Sequence, residues 1–91
     1  MENGKEKKFL IVFNSMNHAY FLENLLIRKG FKVDYLQAPQ YLSASCSASL
    51  KIGRDALKFV GQMINTFNLE VYRVYSWSKL QGKTTYRVVK I

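Results

Sequence analysis

Ninety-one residues, 48% of them apolar and 22% charged, suffice for one domain with its own core and leave no room for a second. The formal net charge is +8, and a lone cysteine excludes an internal disulfide framework. Met1 to Lys8 is polar, the apolar run Phe9 to Phe13 is too short for a signal-peptide core or a membrane span, and neither Gly4 nor the C-terminus is placed for lipidation. The expectation is a cytoplasmic chain that does not enter the membrane.

Lys8 to Asn14, rich in aromatic and β-branched residues, predicts a buried strand. Asn14 or Ser15 is placed to cap the helix that follows, in which His18, Ala19, Leu22, Leu25 and Leu26 share one face. Tyr20 and Ile27 look away from that face, and Gly30 is set to end the helix. Phe31 to Gln37 alternates as a half-buried strand does, with Phe31, Val33 and Tyr35 on one side. A turn-rich connection over 38–47 holds the only proline, Pro39, and leads into a short strand, Ala48 to Ile52. Gly53 to Phe67 predicts a second helix with Ala56, Leu57, Val60, Met63, Ile64 and Phe67 as its apolar stripe and Asn68 as a left-handed cap. Leu69 to Trp77 reads as a fourth strand, a turn follows around Gln81-Gly82, and Thr84 to Ile91 reads as a fifth.

The order β-α-β-β-α-β predicts an α+β, ferredoxin-like sandwich with both helices on one face of an antiparallel sheet. It is one domain over 1–91, with a core over 8–77 and an extra C-terminal strand over 84–91. That extra strand can pair with the fourth as a hairpin or with the edge of a second subunit. From Val71 onward Arg73, Lys79, Lys83, Arg87 and Lys90 occur with no acidic residue among them. Such a field attracts nucleic acid, an anionic surface or an acidic protein, and it is equally what a merely soluble basic surface looks like.

The segment from Pro39 to Leu50 carries the chemistry. Cys46 is flanked by Ser43, Ser45, Ser47 and Ser49, no carboxylate lies between Asp34 and Asp55, and Lys51 and Arg54 follow. Cations, hydroxyl donors and free backbone N–H groups favour a thiolate, and the same surroundings suit the anionic terminal sulfur of a persulfide. The competing reading is an inert cysteine buried at the start of a strand, since free cysteine is among the most buried residue types.

A helix ending in Leu-Leu-x-x-x-Gly followed by Pro-x-x-Leu-Ser-x-Ser-Cys resembles the selenium/sulfur carrier protein-like family of small bacterial proteins. The matching residues are Ala19, Glu23, Leu25, Leu26 and Gly30, then Pro39, Leu42, Ser43, Ser45 and Cys46, then Leu50 and Lys51. The likeness runs from about Lys8 to Tyr75, and the Pro-to-Cys motif is its most specific part. It implies a sulfur or selenium carrier with Cys46 as the attachment point; for such carriage Ser43, Ser45 and Ser47 are the expected anion-binding residues, and donor and acceptor proteins the expected partners. The family usually has glycine after the cysteine, where this chain has Ser47; glycine there permits a positive φ or a close backbone approach.

The remaining titratable groups suggest little. His18, the only histidine, packs or caps near the helix start more readily than it activates Cys46. One cysteine and one histidine fall short of a structural zinc site, no cofactor motif is present, and Asp34 and Asp55 are expected on the surface. Gly53 and Gly61 lack the spacing of a phosphate loop. Phe9, Phe13, Tyr35, Tyr75 and Trp77 invite comparison with RNA-recognition modules, but Ala48 to Ile52 lacks the basic-Gly-aromatic pattern, so core or dimer interface is the expected role. The leading expectation is covalent carriage on Cys46 without turnover. The alternatives are a homodimeric interaction module and a nucleic-acid binder acting through its basic C-terminus.

Overall fold

The apolar run near the start of the chain becomes the middle of a sheet. A computed structural model describes residues 8–37, 48–80 and 82–89. In chain order its elements are β1 (Lys8–Phe13), α1 (Met16–Lys29), β2 (Val33–Gln37), β3 (Ala48–Gly53), a 3-10 turn (Arg54–Ala56), α2 (Leu57–Phe67), β4 (Val71–Leu80) and β5 (Lys83–Val89). The chain is α+β, with one five-stranded antiparallel sheet ordered β2-β3-β1-β4-β5 and two helices.

β1 lies in the middle of the sheet and its side chains are buried on both faces, which is why its sequence is a continuous apolar run and not an alternation. Phe9, Ile11 and Phe13 face the helices, where they join Ala19, Leu22 and Leu26 of α1, Leu50 and Ile52 of β3, and Val60 of α2. Leu10 and Val12 point to the other face and cluster with Tyr75, Leu36 and Tyr86. The expected stripe of α1 is the buried one, with Leu25 packed at its margin, while Tyr20 and Ile27 are exposed. Tyr20 does not stand alone, because its ring stacks on Tyr35 with centroids 5.1 Å apart.

The ends of α1 follow local chemistry. Ser15 adopts extended backbone and its side chain accepts from the His18 N–H at 3.4 Å, a satisfied N-cap. Gly30 is left-handed (φ 87°), and the N–H groups of Gly30 and Phe31 donate to Ile27 O and Leu26 O. That double bond pattern is a Schellman cap. It consumes Phe31, so β2 begins at Val33, two residues later than the alternation suggests. Phe31 instead packs against the core beside Phe59, ring centroids 5.5 Å apart.

The second helix also starts late. Gly53 still belongs to β3, and Arg54–Ala56 forms the tighter 3-10 turn before Leu57 opens α2. Asn68 takes the expected left-handed conformation (φ 54°), donating its N–H to Ile64 O. Phe67 departs from the predicted stripe: it is 48% exposed and meets Phe21 edge-on at 4.9 Å.

Two features set β4. Its register against β1 shifts between Val12 and Phe13, so that Arg73 faces Val12 while Val71 faces Phe13. The extra residue, Tyr72, is a β-bulge, and it lets both Val71 and Val74 point to the core although three positions separate them. β4 then continues to Leu80 and forms a hairpin with β5, so the fifth strand pairs within the chain.

Candidate functional site

The segment predicted to carry the chemistry, including Cys46, Ser43, Ser45 and Ser47, lies outside the described residues. Its two attachment points are described. Gln37 at the end of β2 pairs with Ala48 at the start of β3. The ten residues between them therefore leave and re-enter the sheet at one rung of one edge.

That end of the sheet gathers several elements. Val12, the penultimate residue of β1, pairs with Ser49, so the start of β3 sits beside the end of β1. Asn14 and Ser15 follow at once and open α1, whose first turn contains no acidic residue. The helix thus presents the positive end of its dipole at the same end of the sheet as Gln37 and Ala48. β4 also starts here: the Asn14 N–H donates to Glu70 O at 3.2 Å, and the Glu70 N–H donates to His18 Nδ1 at 2.8 Å. α2 finishes just before β4 and brings its negative end to the same side. β4 is separated from β3 by β1, at about 4.8 Å per strand, so the start of α1 is the nearer of the two poles to Ala48.

His18 is accounted for by this arrangement. Its Nδ1 accepts from a backbone N–H, which leaves Nε2 to carry the ring proton and fixes the ring between α1 and the entry to β4. The reading of His18 as a packing and capping residue agrees with this bond.

Two expectations about the donors around Cys46 need correction. Ser49 is fully buried and its Oγ donates to Leu36 O at 2.9 Å, so this hydroxyl ties β2 to β3. Arg54 lies beyond the far end of β3, a six-residue strand about 20 Å long, and so on the opposite side of the sheet from the loop attachments. Sequence proximity misled here because an extended strand carries the chain away from the loop at about 3.3 Å per residue. Lys51 is intermediate. Its Nζ sits 4.0 Å from the centroid of the Trp77 ring and 3.9 Å from Asp34 Oδ2, over the helix-free face.

That face is assembled from four strands by pairing, not by any local pattern of the sequence. Cross-strand pairing places Lys8 beside Trp77, Leu10 beside Tyr75, and Trp77 beside Tyr86. Trp77 and Tyr86 stack with centroids 6.3 Å apart, and Tyr75 meets Tyr86 edge-on at 6.2 Å. Burial raises the Tyr75 phenol above its ordinary value of 10.0, opposed by nearby Arg73 and reinforced by Tyr72. The Trp77 Nε1 is buried with no hydrogen-bond partner among the described residues. Of the five aromatics compared with RNA-recognition modules, Phe9 and Phe13 belong to the buried core beneath the helices and Tyr35 packs against it. Tyr75 and Trp77 lie on the free face. Period-2 alternation puts Tyr75 and Trp77 on one face of β4, but only the register against β1 shows that this face is opposite to that of Phe9 and Phe13.

Other chemistry is sparse. Among the described residues no group of His, Cys, Asp and Glu could hold a metal ion, and no helix is long and apolar enough to cross a membrane. Asp34 and Asp55 are both exposed. A cleft of about 510 Å³ lined by Lys8, Phe31, Lys32, Asp34 and Lys51 lies at the end of the sheet away from the loop attachments.

The fold and loop position define a small α+β domain that offers a single-cysteine connection at one end of an antiparallel sheet. The chain belongs to the family described as "Putative Se/S carrier protein-like", whose model matches residues 8–76. The match runs from the start of β1 through the whole of the Pro39-to-Cys46 segment and ends within β4 at Ser76, before Trp77 and β5. No curated protein and no solved structure matches the chain.

Proposed function

We propose that this chain carries sulfur or selenium as a covalent adduct on Cys46 and hands it to a partner protein. The family match across residues 8–76, which contains the Pro-x-x-Leu-Ser-x-Ser-Cys segment, is the observation that carries the reading. We read the β2-β3-β1-β4 portion of the sheet as a ferredoxin-like core with β5 appended; the pairing order and the two helices against one face support that label.

The chemistry needs no oxidant. The Cys46 thiolate attacks the terminal sulfur of a donor persulfide, the donor's S–S bond breaks, and the donor leaves as a thiolate while Cys46 becomes a persulfide. The reverse exchange delivers the sulfur to an acceptor thiolate. Carriage of this kind is stoichiometric, so the chain is not an enzyme in this reading. Ser43, Ser45, Ser47 and the local N–H groups hold the anionic sulfur. The acid-free first turn of α1, near the loop attachments, supplies a favourable field for it. The partners are then a sulfur or selenium donor and an acceptor protein, meeting the chain in the cytoplasm.

Incubation with a cysteine desulfurase and cysteine is the direct test. Intact-mass spectrometry should show an adduct of about 32 Da, one sulfur, that dithiothreitol removes and Cys46→Ala abolishes. An unmodified mass, together with a Cys46 that resists alkylation in the native protein, overturns the reading.

A further inference from the structure

We infer that the helix-free face of the sheet binds single-stranded nucleic acid, with Trp77 and Tyr86 as the stacking surface and Lys8, Lys51 and Arg73 as phosphate contacts. The residues involved lie on β1, β3, β4 and β5, so the inference stands apart from the chemistry of Cys46.

The register brings these groups together. Trp77 lies between Lys8 on β1 and Tyr86 on β5, and Lys51 on β3 reaches over β1 to place its Nζ 4.0 Å from the Trp77 ring. Arg73 is on the same face of β4, four residues and about 14 Å along the strand from Trp77. The aromatic pair is partly exposed, and Val88 beside Tyr75 is 51% exposed. Among the described residues the one acidic group that pairing places on this face is Asp34, its side chain 67% exposed and 3.9 Å from Lys51. A phosphate can replace that carboxylate at Lys51 without leaving a buried charge behind.

Charge decides the occupant. A second copy laid face to face would oppose Lys8, Lys51 and Arg73 to themselves on a chain of net charge +8, which repulsion disfavours. A polyanion is attracted by the same groups. Aromatic rings interleaved with cations suit one polyanion best, because bases stack on rings while the backbone between them meets the cations. The basic residues at the end of the chain contribute unevenly. Arg87 pairs with Ser76 and so points to the helix side, whereas Arg73 points to the free face.

The lone tryptophan gives a site-specific readout. The intact protein is titrated with an oligothymidylate of about twelve nucleotides while Trp77 fluorescence is followed, from about 50 to 200 mM salt. Binding should quench Trp77, with a log–log salt slope of about −2 for three phosphate contacts. Lys51→Gln with Arg73→Gln should flatten that slope by more than half, and Tyr86→Ala should weaken binding by about fivefold or more. Thermal melts confirm that each variant is folded. The paired change Arg28→Gln with Lys29→Gln, on the last turn of α1, should leave the quenching intact. Four outcomes overturn the inference: no binding at the lowest salt, binding without a change in Trp77 emission, an equal loss in the α1 variant, or equal quenching by polyglutamate.

Discussion

Leu26 and Ile27 are neighbours in sequence and opposites in environment, and the pair tests whether α1 faces the sheet as described. Leu26 is fully buried in the main core, while Ile27 is 57% exposed. Leu26→Ala removes three carbons from close packing, about 2.4 kcal/mol at about 0.8 kcal/mol per buried carbon. The cavity left behind raises the cost to about 3–4 kcal/mol. A chain of 91 residues has a total stability of roughly 5–14 kcal/mol, so this one change removes a large share of it. Ile27→Ala should cost about 0.5 kcal/mol or less. Urea denaturation followed by far-UV circular dichroism reads both: the midpoint should fall sharply for Leu26→Ala at unchanged slope and barely move for Ile27→Ala. In thermal melts the Leu26 variant should lose about 12 °C or more. Equal costs at the two positions would refute the facing of α1. If the Ile27 cost grows with protein concentration, that residue lies in a subunit interface, as a homodimer would require.

Three further outcomes follow from local geometry. Gly30→Ala should destabilise by about 1–2 kcal/mol, because a Cβ would meet open space and the cost comes from the left-handed backbone at φ 87°; thermal melts check it. His18→Ala should cost about 1 kcal/mol and speed amide exchange at Glu70, whose N–H loses its 2.8 Å acceptor, and an unchanged Glu70 rate would count against the tie between α1 and β4. Tyr75 should make stability fall in alkali. Below pH 10 both states hold the phenol proton and the contribution is complete; above it the unfolded chain loses that proton first, so stability declines until the folded Tyr75 ionises too. Tyr75→Phe should flatten that decline in denaturant midpoints measured from about pH 9 upward.

The elements themselves were legible because their signals are local. The cap at Ser15, the left-handed turns at Gly30 and Asn68, and the stripe Ala19, Leu22, Leu26 each depend on residues within one or two helical turns. What failed depended on neighbours far along the chain. The start of β2 moved because Phe31 closes the Schellman cap onto Leu26. Phe67 left the stripe of α2 because it meets Phe21 on the other helix. The bulge at Tyr72 is set by how β4 must register against β1, which no window of β4 alone contains.

The same distinction governs the two surfaces that matter for function. A serine, a lysine or an arginine near a cysteine in sequence is a donor to it only if the backbone brings it back, and a strand does the reverse. Ser49 donates its hydroxyl to Leu36 O at the second rung of β3, Lys51 swings across β1 to Trp77, and Arg54 emerges at the far end. Near the loop attachments the start of α1 supplies a favourable field through the Val12–Ser49 pairing and not through sequence proximity, and Arg73 lies in the same cross-strand row, paired with Val12 from the other side. Conversely, Lys8, Lys51, Arg73, Trp77 and Tyr86 are scattered over 79 positions of chain from Lys8 to Tyr86 and form one surface only through pairing. Neither proposal draws on the other's residues, since Lys8, Lys51, Arg73, Trp77 and Tyr86 all lie outside the Pro39-to-Cys46 segment. Occupancy of the free face should then leave the loading of Cys46 intact, and loss of loading on adding oligonucleotide would show that the two surfaces are coupled.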